Sequence, residues 1–332
     1  SKNYTNQLSK FLEKRRKLDS PNSKIVLKII KEIKNKKYKA LLKYEKKFSK
    51  NSSIVSSKED INKAIKLLDP KVKKAIDFAY NRIKKFHFEQ KKNLKNISYT
   101  DKYKNKIQYK IIPIRSVGIY VPGNLPSTLL MNAIPAKLAN VKRLVLATPK
   151  INKKMNPAVL YAAKKIGIDK IFFMGGAQAI ASLAFIQKVD KIVGPGNQFV
   201  AEAKRQLSGK IIGTESMFAG PSEIVIVADE HNNPTITAAD LLSQAEHDNS
   251  AQSILITDSE MFAEQVQSEV INQLKSLPRR SIATASWESH GAVIITKNID
   301  ESIEISNQLA PEHLELSFND AKKYLNKIKH AG

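Results

Sequence analysis

Between residues 115 and 229, short apolar runs alternate with segments of helical period. Runs at 117–121, 143–148, 170–174, 190–193 and 223–228, rich in Val and Ile, read as strands. The stretches 127–139, 156–166, 177–186 and 198–207 space their apolar residues as helices do. Strands alternating with helices predict βαβ units and a parallel sheet. The alternation resumes past Asp229. A helix is expected over 235–247, with Pro234 ahead of it and Ala238, Leu241, Leu242 and Ala245 as its stripe; then come a strand at 252–257, a helix at 259–275, a strand at 291–296 and a helix at 300–309. Pro311 ends that last helix and begins an extended segment. The N-terminal third is helical by the same test, over 5–17 and 24–49. Ser56 and Glu59 form a capping box for a helix closed at Asp69-Pro70, a longer helix covers 71–92, and a strand is expected at 107–114. His87, among aromatics in that longer helix, reads as packing.

A chain of 332 residues exceeds one ordinary core, so two domains are expected. With no cysteine, disulfides, thiolate zinc sites and a cysteine nucleophile are excluded. No apolar run approaches membrane-spanning length and no signal-type segment opens the chain, which predicts a soluble, cytoplasmic protein without a membrane partner. The start at Ser1 without methionine suggests a fragment or a processed end. The net charge of +25 raises the question of nucleic acid, and its distribution answers it. Residues 1–110 carry 33 Lys and Arg against 10 Asp and Glu, a net +23, which leaves +2 for the other 222 residues. That excess is mostly lysine spread over helical faces, whereas bidentate phosphate reading calls for arginine. It reads as a solvated face with no specific nucleic-acid partner.

Three expected strand-to-helix turns are glycine-rich: Pro122-Gly123-Asn124, Gly175-Gly176-Ala177-Gln178 and Gly194-Pro195-Gly196-Asn197. Each sets backbone N–H groups at a helix start, at the carboxyl end of a strand, where a phosphate is readily held. None is the dinucleotide fingerprint, since Gly194-x-Gly196-x-x-Phe199 lacks the third glycine, and glycine is ordinary turn chemistry. Three in one sheet nevertheless favour a nucleotide. Gln244 and His247 stand at i and i+3, so an amide oxygen and an imidazole could close on one ion, although a lone His near a helix end is more often a cap. Glu312-His313, directly after Pro311, puts a carboxylate beside an imidazole at an element boundary, where acid–base groups are often presented.

Five motifs in order, Gly175–Ala181, Val189–Asn197, Ala219-Gly220-Pro221-Ser222-Glu223, Leu241–His247 and Pro311-Glu312-His313-Leu314, resemble those of the histidinol dehydrogenase family. The likeness runs from the N-terminal helices to the last residue. It implies NAD-dependent oxidation of L-histidinol to L-histidine in two successive steps, the end of histidine biosynthesis, by a zinc-holding, intertwined homodimer with shared active sites. It also implies an α/β fold of two Rossmann-like βαβ domains related to the aldehyde dehydrogenases: an N-terminal helical arm over 1–20, a first domain of 21–114 plus 226–332 carrying the zinc and acid–base motifs, and an NAD-binding domain over 115–225. By the same resemblance Gln244 and His247 are zinc ligands, and Ser222, Gln244, His247 and His313 meet the substrate. Tyr120, Gln178 and Asn197 contact NAD, Glu312 activates water and His313 is the proton-shuttling base.

The chain departs from the family pattern in three places. Asn124 replaces a usual glycine in a short 123–127 loop, and the stretch between Phe185 and Lys188 is shortened; both bear on the NAD pose. The sequence also stops at His330-Ala331-Gly332, where the family continues into a segment that supplies further zinc ligands, so a truncated and inactive chain is expected. The alternative reading is a non-catalytic nucleic-acid or anion-binding protein that uses the basic N-terminal third.

Overall fold

The computed structural model describes residues 22–215 and 222–332. The helix expected at 5–17, the arm over 1–20 and the Ala219-Gly220-Pro221 part of the third motif lie outside them. The described residues form two compact units, one within Asp19–Ala219 and one within Gly220–Gly332.

The first unit runs α1 (Ser23–Tyr44), a π-helical turn (Glu45–Ser49), α2 (Lys58–Lys66), α3 (Pro70–Lys92), β1 (Ile97–Thr100), β2 (Lys106–Tyr109), β3 (Ser116–Tyr120), α4 (Pro126–Leu138), β4 (Arg143–Ala147), α5 (Pro157–Ile166), β5 (Lys170–Phe172), α6 (Gly176–Phe185), β6 (Lys191–Val193), α7 (Gln198–Leu207) and β7 (Gly213–Thr214). Its five-stranded sheet is parallel throughout, in the order β5-β4-β3-β6-β7. The strand order reverses between β3 and β6, the switch point at whose carboxyl ends such sheets open a ligand crevice. β3 is buried at every residue, as a central strand covered on both faces must be. On one face α1 packs Val26, Ile29, Ile33 and Leu41 with Ile180 and Leu183 of α6; on the other, Ile76 of α3 joins Leu129, Ile134 and Leu160 against Val117 and Ile119.

The N-terminal helices therefore complete the core of this sheet. That grouping differs from the division expected from the sequence, which joined 21–114 to 226–332 and cut the chain at 225; here the cut falls between Ala219 and Gly220, ahead of a strand that begins at Glu223. The physical reason is that a parallel sheet needs apolar cover on both faces, and α1 and α3 supply it. Smaller differences have local causes. Ser57, not Ser56, caps α2, accepting from the Asp60 N–H at 3.0 Å. Asp69-Pro70 opens α3 as N-cap and first helical residue, a favoured use of proline. The strand expected at 107–114 is instead the antiparallel hairpin β1–β2, and His87 is half-exposed beside Gln90 and edge-on to Phe86, not packed in the core.

The second unit runs β8 (Glu223–Ala228), α8 (Pro234–Ala245), β9 (Gln252–Thr257), α9 (Glu260–Leu274), α10 (Arg280–His290), β10 (Ala292–Ile295), α11 (Ile299–Leu309), β11 (His313–Ser317) and α12 (Ala321–Tyr324). These four strands are also parallel, in the order β10-β9-β8-β11. Leu241, Leu242, Phe262, Val266 and Ala283 cover one face with α8, α9 and α10, and Ile305 and Leu309 of α11 cover the other. α10 was not expected, because its Ser, Thr and His content hides the helical period. α8 stops at Ala245, so His247 lies just past its end and not within it.

Candidate active site

In a parallel sheet the first residues of all strands share one edge, and in the second unit that edge gathers the candidate chemistry. His313 pairs in register with Ile224, and Glu223 with Gln252, so Glu312, Glu223 and Gln252 form a row one residue further out. The row is stitched together: Glu312 Oε2 accepts the Glu223 N–H at 3.3 Å, Gln252 donates its N–H to the Ser222 carbonyl at 2.9 Å, and Gln252 Nε2 donates to the His290 carbonyl at 3.1 Å. Ser222, at the start of β8, is half-buried there. A carboxyl-terminal helix end lies near the amino end of the next parallel strand, and the Ser253 hydroxyl bonds the Leu241 carbonyl at 2.7 Å to fix that approach. Ser222, Glu312 and His313 stand at the amino ends of the strands, opposite to the usual crevice of an α/β sheet, and Gln244 and His247 lie at the end of the helix that leads into β9.

The acid–base pair is open to solvent. His313 Nε2 stands 4.0 Å from Glu312 Oε2, with side chains 58% and 43% exposed, so both can meet a substrate and exchange protons with water. Strand alternation puts Glu315 on the His313 side of β11. Burial, reinforced by the like charge of Asp240 on α8, pushes the Glu315 carboxyl up from its ordinary value. Neither Glu315 nor Asp240 was singled out from sequence. The i, i+2 spacing of His313 and Glu315 was legible, but the approach of Asp240 depends on sheet register.

Gln244 and His247 are the candidate zinc donors of this unit. Gln244 is 5% exposed and its side-chain nitrogen has no hydrogen-bond partner, while His247 is exposed and its backbone N–H closes the turn on the Gln244 carbonyl at 3.1 Å. Oxygen and nitrogen of an amide exchange places on a half-turn, so the unpartnered end can present oxygen to a metal. An amide oxygen and an imidazole are both donors that zinc accepts. Among the described residues no group of three or more His, Cys, Asp or Glu could hold an ion, so these two donors make a partial set.

The cofactor candidates belong to the first unit and its switch point. Tyr120 ends β3, and its hydroxyl accepts the Gly176 N–H at 3.3 Å. Gly194, just past β6, has φ of 109° and lies so close that a Cβ there would fall 2.0 Å from the Tyr120 carbonyl oxygen. Only glycine closes this turn. Asn197 is exposed and caps α7, its oxygen accepting from the Phe199 and Val200 N–H groups. Gln178 is 2% exposed, with its amide nitrogen donating to Glu45. The turns and the tyrosine thus line the carboxyl ends of β3, β5 and β6, as a nucleotide crevice requires. Glu45, fully buried against these groups, was not foreseen; a glutamate in a lysine-rich helix carries no sequence signal of burial.

The histidinol dehydrogenase family model matches residues 12–332. Over its whole length the chain is 52% identical to the histidinol dehydrogenase of Pelagibacter ubique, of which it covers 78%. The chain belongs to the histidinol dehydrogenase family. A crystal structure of histidinol dehydrogenase from Elizabethkingia anophelis agrees with a TM-score of 0.87 at 40% identity, covering 94% of this chain and 74% of that one. As a histidinol dehydrogenase the chain is an oxidoreductase of histidine biosynthesis, with the α/β fold expected from its sequence. A putative aldehyde dehydrogenase from Burkholderia cenocepacia, at 12% identity and a TM-score of 0.51 over 81% of this chain and 74% of its own, shares the fold alone. No helix among the described residues is long and apolar enough to cross a membrane.

Proposed function

We propose that this histidinol dehydrogenase oxidises L-histidinol to L-histidine through the aldehyde, in two NAD-dependent steps. The observation that carries the reading is Glu312 beside His313 at the amino edge of the second sheet, with Glu312 oriented by the Glu223 N–H. When bound, NAD supplies the hydride acceptor and zinc supplies a fixed anchor for the substrate's imidazole and amine. His313 takes the hydroxyl proton as hydride leaves the carbinol carbon, giving the aldehyde. Glu312 then takes a proton from water as its oxygen adds to the aldehyde carbon, and His313 takes the proton of the resulting diol as the second hydride departs. The three protons pass to solvent in turn from these exposed side chains, so that His313 is free again before the second hydride departs. Ser222, Gln244, His247 and His313 would touch the substrate, Gln244 and His247 while holding zinc; Tyr120, Gln178 and Asn197 would contact NAD.

We further propose that the chain works as a homodimer with shared active sites. Support comes from the β1–β2 hairpin, exposed at every strand residue, with Tyr109 59% and the following Ile112 76% exposed. A lone two-stranded sheet is marginal in water and gains from a partner surface.

The test is histidinol-dependent NADH formation by the purified chain supplied with zinc. Against the inactive chain expected from the sequence, the proposal calls for two NADH per histidinol with histidine as product. One NADH per histidinol with aldehyde accumulating would sink the two-step assignment, and no NADH would sink the activity.

A further inference from the structure

Two acids are buried among the described residues of the first unit, Glu202, which pairs with Arg205, and Glu45, which the proposed chemistry does not use. Glu45 is 0% exposed and opens the π-helical turn that follows α1. Its Oε1 accepts two hydrogen bonds, from the Gly175 N–H at 3.0 Å and from Gln178 Nε2 at 2.8 Å, while its Oε2 makes none. Isolated burial of a carboxylate is costly and draws its neighbours into place around it. The segment carrying Glu45 is itself pinned to the end of β5. Asn51 Nδ2 donates to the Phe173 carbonyl at 2.7 Å, and the Phe173 N–H donates to the Ile54 carbonyl at 2.8 Å. π-Helical turns recur at functional sites because they redirect one side chain without ending the helix. Here the side chain redirected is Glu45, and it is aimed at the Gly175–Gly176 turn.

The consequence for Gln178 is specific. A glutamine amide has two chemically different ends, and an acceptor at one end decides which way round it sits. With its nitrogen held by Glu45, Gln178 turns its oxygen toward Gly176, where a Cβ would lie only 2.9 Å from that oxygen. The Gly176 N–H in turn is committed to the Tyr120 hydroxyl. Glu45 therefore sets the orientation of one cofactor candidate directly and of a second through the turn.

We infer that Glu45 is a positioning residue for the cofactor crevice: it presents Gln178 as a hydrogen-bond acceptor and fixes the Gly175–Gly176 turn, so that NAD affinity depends on it while turnover does not. The inference rests on the proposed assignment of Tyr120 and Gln178 to NAD.

The deciding comparison is Glu45→Met against Glu45→Gln in the full chain. Methionine fills the space and removes the acceptor, whereas glutamine keeps an oxygen for both donors. Glu45→Met is expected to raise the KM for NAD about tenfold, as loss of a charge-assisted hydrogen bond does, with kcat at saturating NAD and the KM for histidinol within about twofold. Glu45→Gln should stay close to wild type. Glu45→Ala, which leaves room for water in place of the carboxylate, reads the same shift should the methionine variant not fold. Glu45→Met in a Gln178→Ala background should add less than it does alone, since the two act as one unit. Unchanged NAD affinity in folded Glu45→Met and Glu45→Ala, or equal losses for NAD and histidinol, would overturn the inference. Calorimetry of the wild-type chain separates the two levels: absence of NAD binding overturns the cofactor assignment, while binding that is indifferent to Glu45 overturns this inference alone.

Discussion

Glu312 Oε2 lies 4.0 Å from His313 Nε2 while accepting the Glu223 N–H at 3.3 Å, so the neighbouring strand aims the carboxylate beside the imidazole that the proposed mechanism uses to move protons. Replacing His313 by Asn should keep the fold and NAD affinity but cut turnover of both histidinol and the aldehyde by roughly 10²–10⁴, the usual worth of a general base. Glu312→Gln should slow aldehyde oxidation more than alcohol oxidation, since water addition belongs to that half. Steady-state rates with each substrate check this. Equal losses in Glu312→Gln with an active His313→Asn would reverse the roles.

Much of this arrangement was legible in the chain. The strand at 223–228, the helix at 198–207 and the strand at 252–257 follow from apolar period alone, because buried parallel strands must be continuous runs of Val, Ile and Leu. Glu312-His313 was visible because proline fixes an element boundary just before it. What period cannot show is which sheet a helix covers. α1 and α3 present ordinary apolar stripes, and only the packed core reveals that they complete the β3 sheet. Glu45 and the Glu315–Asp240 approach were hidden for the same reason, since burial of a charged residue is decided by tertiary contacts.

Two donors make a weak zinc site. Gln244 offers a neutral oxygen and His247 one imidazole, against the four ligands of a stable structural site. Zinc held by these two alone should be lost on dialysis, and His247→Ala should abolish what remains, with metal content read by atomic emission. Near-stoichiometric zinc surviving dialysis in His247→Ala would show that other donors hold it.

The exposed hairpin gives the dimer a handle. Tyr109→Asp with Ile112→Asp places charge on a surface that a partner would desolvate. Light scattering should move from dimer to monomer, with the melting temperature of the monomer little changed. A dimer that persists in the double variant would place the interface elsewhere.

The N-terminal lysines predict weak and unselective contact with nucleic acid. Lys43 is 60% exposed and paired with Glu32, and Lys92 is 57% exposed and paired with Glu89, as on a solvated face. Binding to duplex DNA should ignore sequence and vanish as salt approaches physiological strength, because only counterion release drives it. A sequence-selective complex that survives that salt would promote the nucleic-acid reading.

The last expectation concerns acid stability. Asp190, just ahead of β6, accepts from Arg115 Nη2 at 2.8 Å and from the Ser116 hydroxyl at 2.7 Å, both at the start of β3, so one carboxylate fastens the two strands that form the switch point. The Arg115 guanidinium, with the Ser116 hydroxyl, holds the Asp190 carboxyl down at about 2, against about 3.9 for an unfolded aspartate. A carboxyl depressed in the folded state binds fewer protons there than in the unfolded chain. Its contribution is therefore fully present above the unfolded value and is lost as pH falls through about 2. Arg115 is 81% exposed, so solvent screens the pair and the effect is modest. Asp190→Asn should lower the melting temperature by about 2–4 °C at neutral pH. The difference should shrink as the pH is lowered from about 4 toward about 2, where the wild-type carboxyl also becomes neutral. Melting curves of the two proteins across that range check it, and a gap that stays constant to the lowest pH would show that Asp190 acts through packing and not through its charge.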